Sequence, residues 1–186
     1  DDPKEVKPVT ISGVRHNGLG ELTDCHRLNS NRYDVEYNID GCSWLYQGAF
    51  DEAKLEMKLE SVICGEGAIA NGVLEHADYD EAVGAYAISY STATAPTQIC
   101  TVKNGAVTRH TRERVLGLPA EWLSPGEDAS FTSHDGLRVS ARLYLPAPAL
   151  KFEGPRPLVY YVHGGPQSQE RPDFAWFSMP LIQFLT

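Results

Sequence analysis

The chain has 186 residues, 42% of them hydrophobic and 22% charged, and its formal net charge is −9. This composition is that of a globular protein with one large or two small domains, which excludes a disordered chain. The acidic balance argues against nucleic acid and anionic membranes as partners, and no stretch reaches the about 20 apolar residues that span a bilayer. The amino-terminal residues do not resemble a signal peptide, so we expect a soluble protein.

Residues 20 to 112 contain most of the predicted strands. Arg32 to Asp40 alternates between apolar and polar side chains, and Asp40-Gly41 is a type I′ hairpin turn signal before a returning strand at Ser43 to Phe50. A second turn is predicted at Asn104-Gly105. The other predicted strands here span Lys54 to Cys64, Gly72 to Tyr79, Ala82 to Ser91, Thr97 to Lys103 and Ala106 to Thr111. The pattern predicts two groups of antiparallel strands.

A short motif recurs in the two groups. Tyr33-Asp34-Val35-Glu36-Tyr37 and Tyr86-Ala87-Ile88-Ser89-Tyr90 share the pattern Tyr-x-(Val/Ile)-x-Tyr, and the turn residues Asp51 and Asn104 fall at the same spacing. A period of about fifty residues with four short antiparallel strands per unit is typical of β-propeller blades. Two unrelated meanders are the alternative. Because a propeller needs at least about four blades, the blade interpretation implies further blades outside these residues.

The four cysteines, at positions 25, 42, 64 and 100, all lie in this strand-rich part. No C-x-x-C pattern is present, so neither a zinc ribbon nor a thioredoxin-type site is indicated. Each cysteine falls on or beside a predicted strand, where a free thiol behaves as a small buried hydrophobe. We therefore expect reduced core cysteines and a cytoplasmic location.

Two features follow the strand-rich region. Pro119, Pro125 and Gly126 indicate a linker at residues 115 to 128. Beyond it, Ser130 to Ser133 and Leu137 to Leu145 flank an Asp135-Gly136 turn and predict an antiparallel hairpin. Its second strand should turn Leu137, Val139, Ala141, Leu143 and Leu145 inward and Arg138, Ser140, Arg142 and Tyr144 into solvent.

The last part of the chain predicts a strand, a glycine turn and a helix. Leu158 to Val162 is a continuous apolar run, which is typical of a parallel strand buried on both faces. A helix is expected behind it, with Pro180 in its first turn. The helical spacing is carried by Phe174, Phe177, Leu181, Ile182 and Leu185.

The turn between strand and helix is His163-Gly164-Gly165-Pro166. Two adjacent glycines allow backbone angles that a side chain would forbid and leave bare amide N–H groups pointing outward. Such N–H groups bind oxyanions. A plain turn is the alternative interpretation of these residues.

The apolar run ends in His-Gly-Gly-Pro and is preceded by two further stretches, Ser130 to Leu137 and Ala141 to Pro146. Together these stretches resemble the start of the catalytic domain of prolyl oligopeptidase family serine peptidases. The acylaminoacyl-peptidase and dipeptidyl-peptidase-like branch is the most similar. The resemblance implies an α/β-hydrolase fold in which the backbone N–H of Gly165 is one oxyanion-hole donor. It also implies that His163 and Gly164 shape the loop and that Pro166 fixes its exit.

The catalytic triad of such an enzyme is absent from the sequence. No G-x-S-x-G pattern occurs; the nearest stretch, Gly41 to Leu45, lacks the last glycine and lies in a predicted hairpin. None of the six histidines follows a candidate serine in the order that this fold requires. The resemblance therefore places the triad outside these residues and predicts that they are inactive alone.

Together these features predict a fragment: the last two propeller blades at residues 1–114, a linker at 115–128 and the truncated start of an α/β-hydrolase domain at 129–186. The parent would hydrolyse peptide or acyl-peptide bonds near chain ends, with a peptide substrate, the remainder of the same enzyme as partner, and neither cofactor nor metal. An oligomer is compatible with this. The alternatives are an esterase or lipase of the same fold and a non-enzymatic β-rich binding module.

Overall fold

The computed structural model describes residues 6–14, 16, 20–115, 117–165, 167–174 and 177–186. Their main feature is a pair of open, mostly antiparallel sheets. The first sheet has five strands in the order β1-β5-β4-β3-β2, and the second has four in the order β6-β7-β8-β9. The strands are β1 (Thr10–Gly13), β2 (Glu21–Arg27), β3 (Arg32–Ile39), β4 (Cys42–Asp51), β5 (Glu56–Cys64), β6 (Gly72–Asp80), β7 (Ala85–Thr92), β8 (Ala95–Lys103) and β9 (Ala106–Arg109).

Both predicted hairpin turns are confirmed. Asp40 and Gly41 have φ angles of 51° and 85°, and Asn104 and Gly105 have φ angles of 49° and 75°. Positive φ at both central residues is the requirement of a type I′ turn. The turns join β3 to β4 and β8 to β9, with Ile39 paired to Cys42 in the first hairpin.

The repeat seen in the sequence corresponds to equivalent positions in the two sheets. Strands β2 to β5 and strands β6 to β9 each form a four-stranded antiparallel meander. The two Tyr-x-(Val/Ile)-x-Tyr segments lie on β3 and β7, which are the second strands of their meanders. β1, which pairs in parallel with β5 at the edge of the first sheet, was not predicted.

The two meanders pack face to face around a shared core. Leu45 and Cys64 of the first sheet meet Ile88, Cys100 and other apolar side chains of the second. On the opposite face of the first sheet, a separate cluster is built from Val35, Tyr46, Met57 and Leu59. Each sheet thus buries apolar groups contributed by neighbouring strands, as amphipathic sheets must.

The linker and the hairpin form two small pairs of strands. β10 (Glu127–Asp128) pairs with β13 (Arg142–Leu143), and β11 (Phe131–Thr132) pairs with β12 (Arg138–Val139). Short 3₁₀ helices are present at Gly67–Ile69, Ala120–Trp122 and Pro148–Leu150. The hairpin at Asp135-Gly136 is therefore present, but it is shorter than predicted.

The predicted orientation of this hairpin is confirmed only in part. Leu137, Val139 and Leu145 of the expected inner face are exposed, and Ala141 and Leu143 are half-buried. On the expected outer face, Arg138 and Ser140 are exposed. Arg138 also forms an ion pair with Asp40, with nitrogen–oxygen distances of 2.6 and 2.8 Å. The polar face thus has a charged partner on the first sheet, and much of the apolar face is not covered.

The strand predicted at Leu158 to Val162 is also not formed. These residues are assigned to no strand and are exposed, with Leu158 at 79% and Tyr160 at 76% of full accessibility. A parallel strand needs hydrogen-bonding neighbours on its edges and apolar groups over its faces. Among the described residues, neither is supplied to this segment.

The helix α1 (Ser178–Leu185) begins later than the apolar spacing indicated, since Phe174 and Phe177 precede it. Pro180 occupies its third position, where a missing N–H costs nothing. Met179 is buried, but Leu181, Phe184 and Leu185 are exposed. The helix therefore rests on the rest of the molecule through one narrow side and not on the Leu158–Val162 segment.

Three of the four cysteines are buried and free, as predicted, but Cys25 on β2 is exposed, so its assignment to the core is wrong. β2 is an edge strand whose residues are all exposed. A cysteine there has no second sheet against which to pack.

Among the described residues, no helix has the length and hydropathy needed to cross a membrane.

Candidate functional site

The glycine turn lies on the surface at the end of the extended Leu158–Val162 segment. Gly165 has a φ angle of 138°, and both it and Gly164 are exposed. Within the described residues, neither glycine N–H donates a hydrogen bond to the protein. The His163 ring nitrogen Nδ1 lies 3.1 Å from the Gly164 carbonyl oxygen. Pro166, the fourth residue of the predicted site, lies outside the described residues.

The two glycines differ in what a side chain would meet. A Cβ at Gly165 would lie 3.1 Å from the Gln167 nitrogen and 3.2 Å from the Ser168 Cβ, in a backbone conformation that L side chains rarely adopt. A Cβ at Gly164 would meet no atom within 4 Å. The geometry therefore requires glycine at position 165 and tolerates alanine at 164.

Ser133, His134 and Asp135 are adjacent in the hairpin turn, but they do not form a triad. The Ser133 hydroxyl lies 3.3 Å from Nδ1 of the adjacent His134. The Asp135 carboxylate accepts from the Leu137 N–H, and that bond and its bond with Ser133 lower the pKa of Asp135. Since no carboxylate orients the imidazole, the turn lacks the order of groups that activates a serine.

The segment after the glycine turn is anchored to the first sheet. Arg171 donates from Nε to the Gly41 carbonyl oxygen and from Nη2 to the Ser43 hydroxyl, both at 2.9 Å. Asn38 donates to the Gln169 side-chain oxygen at 2.6 Å. All three partners belong to the β3–β4 hairpin, so the loop exit is fixed at one end of the first sheet.

The same segment also contacts the second sheet. The Ser91 hydroxyl donates to the Asp173 carboxylate at 2.7 Å, and the Phe174 N–H donates to the Thr92 carbonyl oxygen at 3.1 Å. Ser91 and Thr92 end β7. We use the term rim for the β3–β4 turn together with the β7–β8 turn, which are equivalent turns of the two meanders. Residues 169–174 cross this rim and join it to the glycine turn.

A buried polar network underlies the anchor. Ser43 is 1% exposed; its hydroxyl donates to Glu36 Oε1 at 3.1 Å and accepts from the Leu74 N–H at 3.0 Å as well as from Arg171. Burial raises the pKa of Glu36, while Ser43 and the guanidinium of Arg171 oppose that shift. The carboxylate and guanidinium lie on either side of one hydroxyl, which satisfies groups that would otherwise be buried without partners.

The helix is held at the same rim by one side chain. Gln183 accepts from the Ser124 N–H at 2.8 Å and donates to the Ser124 and Ala93 carbonyl oxygens at 2.7 and 2.8 Å. Ala93 lies in the β7–β8 turn, and Ser124 lies in the predicted linker. Glycine turn, linker and helix therefore all meet the two sheets at this one end.

Sequence reasoning singled out the glycine turn but missed the anchor. Gln169, Arg171, Asp173 and Gln183 are ordinary surface residue types, and their partners lie 82 to 131 positions away for the first three. The one available signal was the composition of residues 167–173, which are mostly polar and lie between the predicted apolar strand and the apolar helix. Two open clefts, of about 460 and 480 Å³, are not lined by the glycine turn, and the second of them lies against the β7–β8 turn at Ala93 and Thr94.

Among the described residues, no three histidine, cysteine, aspartate or glutamate side chains come together as a metal site. No model of a known protein family matches this chain, and no curated protein sequence matches it either.

Proposed function

We propose that the chain is part of a serine peptidase of the prolyl oligopeptidase type, in which the two meanders are propeller blades and residues 129–186 begin an α/β-hydrolase domain. In this proposal the enzyme cleaves peptide or acyl-peptide bonds near chain ends. The nucleophile, acid and base lie outside these 186 residues. The chain contributes the loop that stabilises the oxyanion.

The observation that carries this proposal is the glycine turn itself. Gly165 is held in a conformation that favours glycine, and its N–H is exposed and has no protein acceptor among the described residues. A backbone donor of this kind stabilises the negative charge that develops on a carbonyl oxygen during acyl transfer. The turn follows directly on the apolar segment, as the HGGG-type loop of hydrolases follows a strand.

The exposed apolar groups support the same proposal. Two apolar surfaces are not covered by the described residues. One is the segment Leu158 to Val162, and the other is the outer side of α1, where Phe184 has 84% of its full accessibility. In a hydrolase domain, neighbouring parallel strands would pair with the first and helices would cover both. The proposal thus accounts for the two largest departures from a packed core in this structure.

Fluorophosphonate labelling tests whether a serine hydrolase is present. We expect no labelling of the 186-residue chain, and stoichiometric labelling of a longer product of the same gene that contains G-x-S-x-G. Labelling of a serine in the 186-residue chain would place the active site elsewhere and contradict the proposal. A labelled enzyme that cleaves small esters but no peptide would favour the esterase alternative.

Replacement of Gly165 tests the role of the turn. Because a side chain there would shift the backbone and move the N–H, Gly165→Val should lower kcat on a short acyl substrate by about 10²–10³-fold, with KM nearly unchanged. Gly164→Ala is the matched control, since its Cβ meets open space, and should keep kcat within about threefold. Wild-type kcat in a folded Gly165→Val enzyme would remove the turn from the mechanism.

A further inference from the structure

The residue that joins the glycine turn to the first sheet most firmly is Arg171. It lies six positions after Gly165 and donates two hydrogen bonds to the β3–β4 hairpin. The neighbouring Gln169 is exposed and accepts one hydrogen bond from the Asn38 side chain through its amide oxygen. The anchor of the loop on the first sheet therefore depends mainly on one guanidinium group.

The acceptors of Arg171 are themselves rigid. The Gly41 carbonyl belongs to a tight type I′ turn, and the Ser43 hydroxyl is fixed by Glu36 and by the Leu74 N–H on the second sheet. Pro172 packs beside Gly41, 3.6 Å from the position of a Cβ there. Arg171 therefore binds a point at which both sheets are already held together.

The two bonds need a planar donor. Nε and Nη2 of one guanidinium donate in parallel directions, which a lysine ammonium cannot reproduce from a single nitrogen. The positive charge also offsets the burial of Glu36, whose pKa is raised by desolvation. Removing the guanidinium would leave the Ser43 hydroxyl with fewer donors and Glu36 without a cation.

We propose that Arg171 is a positioning residue that fixes the glycine turn relative to the β3–β4 hairpin. It acts through the described backbone of residues 167–171, which leads back to the glycine turn, and does not touch substrate. The first sheet thereby sets where the Gly165 N–H points. The consequence of this placement for catalysis rests on the proposed function, whereas the mechanical link does not.

The link is tested in the 186-residue chain by ¹⁵N relaxation of the Gly164, Gly165 and Gln167 amides. In the wild type we expect order parameters near about 0.85, the value of rigid backbone, and in Arg171→Ala values below about 0.6. Arg171→Lys should resemble Arg171→Ala. Gln169→Ala, which removes the single exposed bond of the same segment, is the matched control and should resemble the wild type.

Two readouts separate this effect from general destabilisation. The amide exchange rates of β3, β4 and β7 should be unchanged in Arg171→Ala. Ser43→Ala should lower the order parameters of the glycine turn, as Arg171→Ala does. Order parameters in Arg171→Ala equal to those of the wild type would overturn the proposal. So would equal loosening in Gln169→Ala, because the effect would then not depend on the guanidinium.

In the complete enzyme, displacement of the donor should lower kcat of Arg171→Ala by roughly 10- to 100-fold with KM unchanged, since small misplacements of a catalytic group have effects of this size. Lysine should not restore it. If Gly165→Val lowers kcat but Arg171→Ala does not, the positioning role fails while the proposed function stands. If the turn loosens in Arg171→Ala but no fluorophosphonate labelling is found in any longer product, the proposed function fails while the link stands.

Discussion

The two meanders and the segment after them bury their apolar side chains to very different extents. Leu59 is 1% exposed and Ile88 2%, whereas Leu158 and Phe184 are mostly exposed. Each meander is made of strands that follow one another within about fifty residues, and the shared core lies between it and the meander next to it in the chain. A parallel strand and its helix need neighbours that are remote in the sequence. The comparison shows that apolar patterning produces a core only where the covering elements are present.

The second region is attached to the first by polar contacts. Arg138 pairs with Asp40, Arg171 binds Gly41 and Ser43, and Gln183 bridges Ser124 and Ala93. All of these bonds meet the meanders at the end where β3 turns into β4 and β7 into β8. The attachment is therefore specific in geometry but contributes less free energy than a shared apolar core.

The largest difference between the regions is expected for leucine truncation. Leu59→Ala should lower the free energy of unfolding by about 2–5 kcal/mol, because it opens a cavity in a packed cluster. Leu158→Ala should change it by less than about 0.5 kcal/mol, because that side chain is exposed in this chain. Urea denaturation of both variants measures this. Equal losses would show that the Leu158 segment is buried in solution.

The same pair of variants sharpens the comparison in the complete enzyme. There the proposed neighbouring strands cover Leu158, so Leu158→Ala should cost about as much as a core truncation, 2–5 kcal/mol. A persistently small effect would contradict the α/β-hydrolase arrangement. The Leu59→Ala value serves as the internal reference in both cases.

Docking of the helix should depend on Gln183. Gln183→Ala leaves the buried Ser124 N–H and carbonyl unpaired, at a cost of about 1–3 kcal/mol. Amide exchange in α1 should accelerate correspondingly, while exchange in the two sheets should not. Phe184→Ala is the matched control on the next residue and should leave exchange unchanged, since that side chain is exposed. Acceleration in both variants would mean that α1 is held by apolar contacts.

The ion pair between the hairpin and the first sheet should contribute less. A double-mutant cycle with Asp40→Ala and Arg138→Ala should give only a small coupling free energy, because both side chains are partly exposed. The coupling should fall in 1 M salt, where screening is strong. A large coupling that does not respond to salt would show that the pair is buried in solution.

The smallest expected effect is on pH dependence, and it has opposite signs at two sites. Burial raises the pKa of Asp34 in the first sheet, so the folded protein binds this proton more tightly than the unfolded chain does. The free energy of unfolding therefore falls as pH rises from 3.8, the ordinary pKa of an aspartate, through the pKa of Asp34 in the folded protein. The hydrogen bond from Arg138 lowers the pKa of Asp40. At this site the free energy of unfolding therefore falls as pH drops from 3.8, the ordinary pKa of an aspartate, through the pKa of Asp40 in the folded protein. Asp34→Asn should remove the first slope and Asp40→Asn the second. Melting temperatures at closely spaced pH values measure both, and identical profiles for the two variants would contradict this assignment.

Local sequence patterns specify most of the strands and turns of the two meanders. Alternation predicted nearly every strand of the two meanders, and the Asp40-Gly41 and Asn104-Gly105 pairs predicted turns whose positive φ angles the structure has. These features depend on residues close together in the chain, so they can be predicted without knowing what lies opposite. The helix and its early proline were predictable for the same reason. So was a backbone conformation at Gly165 that favours glycine.

Which faces are covered, and how the glycine turn is held, depend on contacts between distant parts of the chain. Nothing in the alternation of Leu137 to Leu145 indicated that Arg138 would meet Asp40, and the apolar run at Leu158 looked buried because its pattern is that of a covered strand. Likewise the partners of Arg171 lie 128 and 130 positions earlier in the chain. Local pattern specifies which side chains could be buried or bonded, but burial and bonding need a second surface, and its position follows from the packing of the whole chain.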